Sequence, residues 1–419
     1  MAIVALVGTM DTKGVEYGWL RDRLHAAGVR TVLIDAGTYG EPRVRPDIER
    51  GEVARAAGAD VEVLRADGDR GAAVTVMARG AAEIARRLHA ADGLHGLLAL
   101  GGSGGTSIAT RAMRELPLGV PKLMVSSMVS GDVAPYVGAS DIAMMFSIVD
   151  IAGVNRVSAP ILANAADAMA GMARGYAASR AERSVDLASD GRPLVAATMA
   201  GVTTPGVDAA RERLVELGYE VLVFHAVGSG GRSMEALADQ GLLAGVLDLT
   251  LCEIADDLLD GKLSAGPDRL RAAGRRGIPQ VTAPGALDMV KYGPLDSLPD
   301  HVRDRRVLVH NPSITVIRTS ADECARLGRH VAAKLREAKG ATALRLPLRG
   351  LSTLGAPGGP YHDADADEAL FTALREGLSG SPVEVTSMDT DLNDPEFGRA
   401  AAERLHAMIG ETEGAPGAF

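Results

Sequence analysis

Short apolar runs and amphipathic stretches alternate along the first part of the chain. The apolar run Ile3 to Gly8 predicts a buried strand, residues 9–14 a polar loop, and Val15 to Ala27 an amphipathic helix. A second apolar run, Thr31 to Ile34, ends on Asp35. Strand, helix and strand in this order predict a βαβ unit with parallel strands.

A glycine-rich loop is the segment around which we expect the N-terminal half to be organised. The apolar run Leu97 to Leu100 leads into residues 101–105, which are four glycines around Ser103, and a stretch with helical spacing follows. Glycines let a loop turn several backbone N–H groups toward one point, and a helix N-terminus adds a partial positive charge. The sequence therefore predicts an anion-binding loop, with phosphate as the expected ligand.

A second interpretation of this loop stays open, because glycines also let a helix pack closely against the preceding strand. Residues 101–107 lack the Gly-Lys-Ser/Thr ending of a P-loop and match the dinucleotide fingerprint only loosely. One or two glycines suffice for packing, whereas a run of four indicates that a ligand approaches the backbone. We favour anion binding over a purely structural turn.

Other segments of the N-terminal half carry weaker signals. Residues 41–70 are richer in proline, glycine and charge, and we expect this excursion to shape a ligand cleft. The run Val120 to Val125 predicts another strand, and Asn155 to about Tyr176 predicts a helix rich in alanine and methionine. The small side chains of that helix suit close packing, either in the core or in a dimer contact.

A polar, charged segment from Ala178 to Arg192 has the composition of a domain linker. Beyond it the pattern of strand, polar loop and helix starts again at Leu194, and Gly245 to Leu249 corresponds to the run before the first glycine loop. We predict an α/β fold of two similar Rossmann-like domains with mainly parallel sheets, at residues 1–185 and 193–419. A ligand cleft is expected between them, because ligands of such sheets bind beyond the carboxyl ends of the strands.

Composition and charge exclude several classes of protein. The 419 residues are 47% hydrophobic and 23% charged, as in globular proteins, and the formal net charge of −10 argues against nucleic-acid or anionic membrane surfaces. The two cysteines, Cys252 and Cys324, form no disulfide framework and no zinc motif. The N-terminus lacks the features of a signal peptide and no segment approaches membrane-spanning length, so we expect a cytoplasmic protein.

With these loops laid out, the sequence resembles the Tm-1-like ATP-binding proteins, also called the UPF0261 family, along nearly its whole length. The motifs that carry the resemblance are Gly8-Thr9-Met10-Asp11-Thr12-Lys13-Gly14, Gly101-Gly102-Ser103-Gly104-Gly105-Thr106, Ser130-Gly131-Asp132, Val149-Asp150-Ile151-Ala152-Gly153-Val154-Asn155-Arg156, Asn164-Ala165-Ala166, Gly201-Val202-Thr203-Thr204-Pro205, Val223-Phe224-His225-Ala226 and Asn393-Asp394-Pro395-Glu396-Phe397.

The resemblance implies two Rossmann-like domains, ATP binding and self-association into a homo-oligomer. In plant relatives, as the resemblance implies, the corresponding region restrains a viral replication protein and a TIM-barrel-like domain follows it. Because this sequence stops before such a barrel, we expect a separately encoded barrel partner.

The sequence departs from the family pattern at three places. Gly206 stands where a cysteine is expected after Thr-Thr-Pro, which argues against a thiol nucleophile common to the family. Lys291-Tyr292 replaces an expected Asn-Phe, and Asp391 replaces an expected His. We expect these differences to alter the choice of substrate more than the fold.

We assign ATP, together with Mg²⁺, to the loops of the N-terminal half. Lys13 would supply a countercharge and Asp35 a bond to a ribose hydroxyl, although a solvated lysine and a turn aspartate explain these two residues equally well. Asp132 could contact Mg²⁺ through water or simply form a turn, so the metal ligands stay unassigned. The residues assigned to the nucleotide are Asp11, Thr12, Lys13, Asp35, Gly101, Gly102, Ser103, Gly104, Gly105 and Thr106.

In the C-terminal half, His225, Glu253 and Asp288 are candidates for acid–base catalysis. A structural hydrogen bond would explain a lone histidine as well. A second glycine loop would bind a small anionic metabolite, or else its glycines only pack after a duplication. The residues assigned to that metabolite are Gly228, Gly230, Gly231 and Arg232.

The sequence favours an ATP-binding protein that also holds a small anionic metabolite, with phosphoryl transfer or activation as the chemistry if it is an enzyme. Phosphoryl transfer depends on positioning and charge neutralisation more than on a dedicated nucleophile, and the sequence shows no motif for one. Two alternatives stay open. One is a regulatory module whose nucleotide controls a partner protein, and the other is a lyase or hydrolase acting with a TIM-barrel partner.

Overall fold

A computed structural model describes residues 1–182 and 191–413. Its contacts divide the chain into two compact units, Met1–Ser189 and Asp190–Phe419, called here the N-terminal and C-terminal units. The predicted fold class is confirmed, because each unit has a parallel sheet with helices packed on it. Most of the predicted linker, residues 183–190, lies outside the described residues.

The sheet of the N-terminal unit has five strands in the order β2-β1-β3-β4-β5, and all neighbours pair in parallel. These strands appear as continuous apolar runs because helices cover both faces of the sheet. The strands are β1 (Ile3–Gly8), β2 (Arg30–Asp35), β3 (Gly96–Gly101), β4 (Lys122–Ser126) and β5 (Ala143–Phe146).

Seven helices accompany this sheet among the described residues. The predicted excursion at 41–70 contains two of them, and the predicted helix from Asn155 begins and ends a few residues later than expected. The helices are α1 (Met10–Ala26), α2 (Arg50–Ala56), α3 (Val61–Asp67), α4 (Arg70–Ala90), α5 (Ser103–Arg114), α6 (Ala134–Val137) and α7 (Ser158–Glu182).

Two apolar clusters fill the N-terminal unit, one on each face of the sheet. Residues from α2, α4 and α5 form one cluster, and residues from α1 and α7 form the other. The small-residue face of α7 lies in this second cluster, where Ala165, Ala166 and Ala173 are fully buried. The core contact expected for that helix is therefore present.

The main sheet of the C-terminal unit has six strands in the order β14-β13-β9-β8-β6-β7, again with parallel pairing. Its strands are β6 (Leu194–Met199), β7 (Glu220–His225), β8 (Gly245–Thr250), β9 (Gln280–Gly285), β13 (Thr342–Pro347) and β14 (Glu384–Met388).

A second, antiparallel sheet interrupts the C-terminal unit between β9 and β13, and the sequence pattern did not reveal it. It has the order β10-β12-β11. Its strands are β10 (Met289–Tyr292), β11 (Val307–Asn311) and β12 (Ile314–Arg318). This insertion is the main difference in architecture between the two units.

The helices of the C-terminal unit cover both faces of its parallel sheet. Helices α8 and α14 share a cluster on one face, and α12 and α13 pack together in another. None of the helices in the described ranges is both long and apolar enough to cross a membrane. The helices are α8 (Thr204–Glu216), α9 (Ser229–Asp239), α10 (Cys252–Leu258), α11 (Ala272–Arg276), α12 (Ala321–Arg336), α13 (Ala364–Leu378) and α14 (Pro395–Glu413).

Candidate functional site

A pocket of about 570 Å³ opens in the N-terminal unit at the carboxyl ends of β1, β2 and β3. Here β1 lies between β2 and β3, so the chain reverses direction across the sheet at this point. Parallel sheets bind ligands at such reversals. The lining residues that follow the three strands are Thr9, Asp11, Thr12 and Lys13, then Ala36, Thr38, Tyr39 and Gly40, then Gly102, Ser103, Gly104 and Gly105.

Helix α5 begins at Ser103 and directs its first turn at this pocket, because Ser103, Gly104 and Gly105 all line it. The first N–H groups of a helix have no partner within the helix, and they lie at its positive end. The intrahelical pattern starts with Thr106, whose N–H donates to the Gly102 carbonyl oxygen at 2.9 Å. The first turn therefore offers hydrogen-bond donors to an anion in the pocket.

Close packing requires one of the four glycines in this loop. A Cβ atom at Gly101 would lie 2.9 Å from the Cα of Gly105, closer than such atoms approach. At Gly104 a Cβ would meet only a methyl of Val74, at 3.9 Å, and at Gly102 only the Ser127 hydroxyl, at 3.7 Å. Packing explains Gly101 but not Gly102 or Gly104, which favours a ligand that approaches this backbone.

The hydroxyl of Thr106 faces the interior, which corrects its assignment to the nucleotide. Thr106 is fully buried. Its Oγ1 donates to the Gly102 carbonyl oxygen at 2.8 Å and lies 2.7 Å from the Ser126 hydroxyl. The first contact lies within the start of α5 and the second holds it against β4, so this side chain supports the loop and leaves ligand contact to the preceding residues.

Two cationic side chains line the pocket. Lys13 Nζ donates to the carbonyl oxygen of Ile151, so the ammonium is held against the segment that also brings Asp150 to the pocket. Arg70, the first residue of α4, is exposed at the pocket wall. Sequence reasoning missed Arg70; the available signal was a cation directly after the Asp69 N-cap of a long helix.

Asp11 and Asp35 hold the loop that follows β2. Asp11 is 8% exposed, and its Oδ2 accepts hydrogen bonds from the N–H groups of Tyr39 at 3.2 Å and Gly40 at 3.1 Å. Asp11 lines the pocket, whereas Asp35 does not. Thr12 is exposed at the rim and its hydroxyl lies 2.6 Å from that of Thr9.

The structure corrects the assignment of Asp35 to a ribose hydroxyl. Asp35 is 1% exposed, and its Oδ1 accepts hydrogen bonds from the N–H groups of Met10 and Gly37. Arg50 Nε donates to its Oδ2 at 3.1 Å. Burial raises the pKa of Asp35, although these bonds oppose the rise. The carboxylate of Asp35 is therefore occupied by hydrogen bonds within the protein and does not face a ligand.

The second glycine loop, at the start of α9, already holds an anion that the chain supplies. The N–H groups of Gly228 and Gly231 donate to Glu253 Oε1 at 2.6 and 3.0 Å. Glu253 is fully buried, and Arg269 Nε donates to its other oxygen at 2.7 Å. A Cβ at Gly231 would lie 2.1 Å from Glu253 Oε2. The glycines make room for a protein carboxylate.

These contacts correct the assignment of Gly228, Gly230, Gly231 and Arg232 to a metabolite. A Cβ at Gly230 would lie 2.0 Å from the His225 carbonyl oxygen, so packing explains that glycine. Arg232 Nη1 donates to the Ser264 carbonyl oxygen at 2.9 Å. The interpretation in which the glycines serve packing fits the structure better.

Arg269 is the centre of a buried charge cluster in the C-terminal unit. Its side chain is completely buried and contacts Asp248, Glu253 and Glu235. Burial alone would lower the pKa of Arg269, but the surrounding carboxylates outweigh this and raise it. Glu235, in turn, accepts hydrogen bonds from the N–H groups of Leu270 and Ala272. The cluster is saturated by its own partners.

A second pocket, of about 450 Å³, lies within the C-terminal unit. One wall consists of residues at the carboxyl ends of β6, β7 and β8, and the other is one face of the antiparallel sheet. The lining residues are Ala200, Gly201, Val202, His225, Ala226, Val227, Cys252, Leu263, Met289, Lys291, Leu308, His310, Asn311, Ile314, Val316 and Leu354.

The three predicted catalytic residues do not converge on this pocket. His225 lines it and is exposed. Glu253 belongs to the Arg269 cluster, and Asp288 is fully buried and accepts a hydrogen bond from the Ser352 hydroxyl at 2.6 Å. Burial raises the pKa of Asp288. The structure therefore corrects the assignment of Glu253 and Asp288 to catalysis and leaves His225 as a pocket residue.

Lys291 is a charged group of this pocket that sequence reasoning did not assign to the site. Its Nζ lies 3.0 Å from Asp256 Oδ2, and its N–H donates to Asp256 Oδ1 at 2.7 Å. Burial lowers the pKa of Lys291, but Cys252 and Asp256 outweigh it, so the pKa is raised overall. The signal was present, since Lys291 departs from the expected family pattern.

Comparison with known proteins settles the family. Residues 2–178 match the N-terminal domain, and residues 192–409 the C-terminal domain, of a family described as Uncharacterised protein family (UPF0261). The chain belongs to the UPF0261 family. A UPF0261 protein of Clostridium tetani is 46% identical over 406 residues, which are 97% of this chain and 98% of that protein.

A plant protein is also similar to this chain. The ToMV resistance protein Tm-1(GCR237) of Solanum lycopersicum is 39% identical to this UPF0261 chain over 335 residues, which are 80% of this chain and 44% of the plant protein. Among solved structures, UDP-GlcNAc 2-epimerase from Neisseria meningitidis aligns over 90% of this chain and all of its own, with 9% identity and a TM-score of 0.23. A TM-score this low supports no inference about the site.

Proposed function

We propose that the N-terminal unit of this UPF0261 protein binds a nucleoside triphosphate, and that ATP is the ligand. The observation that carries the proposal is the first turn of α5, whose residues Ser103 to Gly105 line a pocket of about 570 Å³. That volume lies within the range of small-molecule sites, roughly 300–1,000 Å³. Helix N-termini that follow a parallel strand are the common phosphate sites of such folds.

The charges and walls of the pocket suit the two ends of a nucleotide. Lys13 and Arg70 would neutralise phosphate oxygens that accept hydrogen bonds from the first turn of α5. Tyr39, which is 46% exposed, and the side chains of Val74 and Ile108 also line the pocket and would supply apolar surface for a base. The pocket therefore offers both cationic groups and apolar surface.

A hydrated Mg²⁺ would be held by the acidic residues of the same pocket, Asp11 and Asp150. Next to phosphate oxygens, Mg²⁺ needs only one or two protein carboxylates. Within residues 1–182 and 191–413, no group of three or more His, Cys, Asp or Glu is placed to hold a metal by itself. The carboxyl oxygen Oδ1 of Asp11 is buried and has no hydrogen-bond partner within the described residues, and a hydrated ion beside this carboxylate would supply one.

The fate of the bound nucleotide separates the enzymatic form of this proposal from a regulatory one. Phosphoryl transfer to a small anionic metabolite requires ADP release that depends on the metabolite. A regulatory module would release no ADP, and its affinity for a protein partner, such as a separately encoded barrel, would change with ATP. Assaying ADP release by the purified chain with mixtures of small carboxylic and phosphorylated acids decides between them.

The test of nucleotide binding is calorimetric titration of ATP with Mg²⁺ into the wild type and the Gly104→Val variant. The Gly104→Val protein should still fold, since a Cβ at this position would meet only Val74, which also lines the pocket. The valine side chain would then occupy the space in front of the first turn of α5. We expect the variant to bind ATP at least about tenfold more weakly, the loss of one or two charge-assisted hydrogen bonds.

Gly171→Val is the matched control. Gly171 also lies in a helix, is exposed, and has nothing within 4 Å of a built Cβ, so this variant tests the effect of valine away from the pocket. ATP affinity should be unchanged. If folded Gly104→Val bound ATP as tightly as the wild type, the phosphates would not lie at the first turn of α5. If the wild type did not bind ATP, the proposal would be refuted.

A further inference from the structure

The pocket of the C-terminal unit lies at the point of its parallel sheet where ligands are expected. Strand β6 has β7 on one side and β8 on the other, so the chain reverses direction across the sheet at β6. Residues at or just beyond the carboxyl ends of these three strands line the pocket, including Ala200, His225 and Cys252. Its volume, about 450 Å³, is within the range of small-molecule sites, roughly 300–1,000 Å³.

The antiparallel sheet forms the opposite wall. One of its faces lines the pocket and the other packs into the core. Alternate residues of each strand face the pocket, in the pairs Met289 and Lys291, Leu308 and His310, and Ile314 and Val316. The other face packs into the main core through Val290, Tyr292 and Ile317. Apart from Lys291, His310 and Asn311, the residues of this sheet that line the pocket are apolar.

Lys291 gives this apolar wall a fixed positive charge. Its side chain is 12% exposed and lies 3.0 Å from Asp256 Oδ2, whose own side chain is completely buried behind it. A lysine ammonium has three protons to donate. Asp256 forms an ion pair with it on the buried side, and no carboxylate is among the residues that line the pocket. The ionisable groups toward the cavity are Lys291, His225, His310 and Cys252.

We propose that this pocket binds a small organic acid, with the carboxylate of the ligand at Lys291 and an apolar body against the antiparallel sheet. The apolar lining favours a hydrocarbon or aromatic body, because burying such surface is favourable. The ammonium favours an acid over a neutral or cationic analogue of the same shape. The inference does not depend on nucleotide binding, since every residue in it belongs to the C-terminal unit.

The test compares two probes of the same shape, 4-phenylbutyrate and 4-phenylbutanol, titrated into the full chain by calorimetry. The acid should bind about ten- to a hundredfold more tightly than the alcohol, the range given by one charge-assisted hydrogen bond in a partly buried site. Equal affinity for acid and alcohol would overturn the assignment of an anion site. No binding of the acid at millimolar concentration would overturn the proposal as a whole.

Two variants place the probe in the pocket. Lys291→Met combined with Asp256→Asn removes the ammonium without leaving a buried carboxylate unpaired, and it should reduce the affinity for the acid to that for the alcohol. Gly201→Leu should abolish binding of both probes, because the leucine side chain would fill space in the pocket. Gly201 lines the pocket, and a Cβ at this position meets nothing within 4 Å, so the leucine has room there.

The matched controls are Lys339→Met, an exposed lysine of the same unit, and Gly410→Leu, an exposed helical glycine with open space around it. Both should bind the acid as the wild type does. Undiminished acid binding by the folded double variant, or by folded Gly201→Leu, would show that the probe lies elsewhere and would overturn the proposal. Because the titrations contain no nucleotide, these outcomes are independent of whether ATP binds to the N-terminal unit.

Discussion

The two glycine loops of this protein look alike in sequence but differ in what lies in front of their N–H groups. Ser103 to Gly105 form the first turn of α5 and face an open pocket. Gly228 and Gly231, at the start of α9, donate their N–H groups to the buried carboxylate of Glu253. Both loops present backbone N–H groups of a kind that suits an anion. The first faces an open pocket, whereas the second faces a carboxylate of the chain itself.

Position relative to the sheet explains the difference. The first loop follows β3, which neighbours β1 at the reversal of the strand order, while the second follows β7, the strand at the edge of its sheet. In the C-terminal unit the strand that corresponds to β3 is β8, and Cys252 and Glu253 follow it instead of glycines. The carboxylate that fills the second loop thus comes from the position that the first loop occupies in the N-terminal unit.

Glu253→Ala should have the largest effect and tests this comparison directly. The change leaves Arg269 with less countercharge and two buried N–H groups without an acceptor. Removing one partner of a buried charge pair costs about 3–5 kcal/mol of unfolding free energy. Urea unfolding followed by hydrogen exchange in α9 and α10 measures this loss for the C-terminal unit.

Acetate should partly restore the stability of Glu253→Ala, because a small carboxylate fits the space that the glutamate vacates and meets the same donors. The control is Glu212→Ala, an exposed glutamate in α8, which should stay within about 0.5 kcal/mol of wild type and show no acetate effect. If Glu253→Ala were as stable as the control, Glu253 would not be the anion that the second loop was built around.

Buried ion pairs make the two units differ in pH dependence as well. Arg318 Nη2 donates to Asp367 Oδ1 at 2.7 Å, and Asp367 is 6% exposed. Burial raises the pKa of Asp367 to about 6, although Arg318 opposes it. In the N-terminal unit, Asp141 accepts a hydrogen bond from Lys122 but its side chain is 41% exposed. There partial burial would raise the pKa of Asp141, but the hydrogen bonds from Lys122 and from the Gly119 N–H, together with the charge of Lys122, outweigh it and lower the pKa.

The stability that Asp367 contributes should therefore be complete below pH 4 and fall as the pH rises to about 6. A shift of about two pKa units corresponds to about 3 kcal/mol. Relative to Asp367→Asn, the wild type should lose roughly that much unfolding free energy between about pH 3 and about pH 7. Asp141→Asn should show the opposite sign, with wild type gaining on the variant as the pH rises. The same pH trend for both pairs would contradict this difference.

Adding one methyl group to each loop sharpens the comparison. A Cβ at Gly231 would lie 2.1 Å from Glu253 Oε2 and 2.7 Å from Arg269 Nε, so Gly231→Ala should cost about 1–3 kcal/mol. Gly104→Ala meets only Val74 at 3.9 Å and should be neutral or stabilising by up to about 1 kcal/mol, since alanine favours the helix. Trp19, the single tryptophan of the chain, reports unfolding of the N-terminal unit by fluorescence. Equal losses at both positions would mean that the first loop is as tightly packed as the second.

Much of the fold follows from local patterns in the sequence. Strands such as β1, β3 and β8 are continuous apolar runs because helices cover both faces of their sheets. The antiparallel sheet escaped prediction because its strands have only four or five residues, and β11 has exposed positions at Val309 and His310. Its pairing depends on contacts between strands rather than on a periodic run.

The candidate sites were predictable only where the chain itself brings the groups together. Ser103, Gly104 and Gly105 are consecutive and meet the pocket as a unit. Glu253 meets the second glycine loop through tertiary packing, and no local feature of the sequence distinguishes a carboxylate that fills a loop from one that awaits a substrate. The sequence showed Lys291 as a departure from the family pattern. Its position in a pocket could not be predicted, because the antiparallel sheet that carries it was not predicted.

The smallest expected effect concerns Thr106, the residue that separates structural from ligand-binding roles inside the first loop. Thr106→Val removes the hydroxyl that bonds the Gly102 carbonyl oxygen and the Ser126 hydroxyl, and it should cost about 1 kcal/mol of unfolding free energy. ATP affinity should change by less than about twofold, because this hydroxyl faces the interior and the first-turn N–H groups remain. Ser107→Ala is the control for losing an exposed hydroxyl from the next position. A large loss of ATP binding by a folded Thr106→Val variant would mean that the hydroxyl turns toward the ligand. Thr106 would then belong to the residues that contact the ligand and not to those that only support the loop.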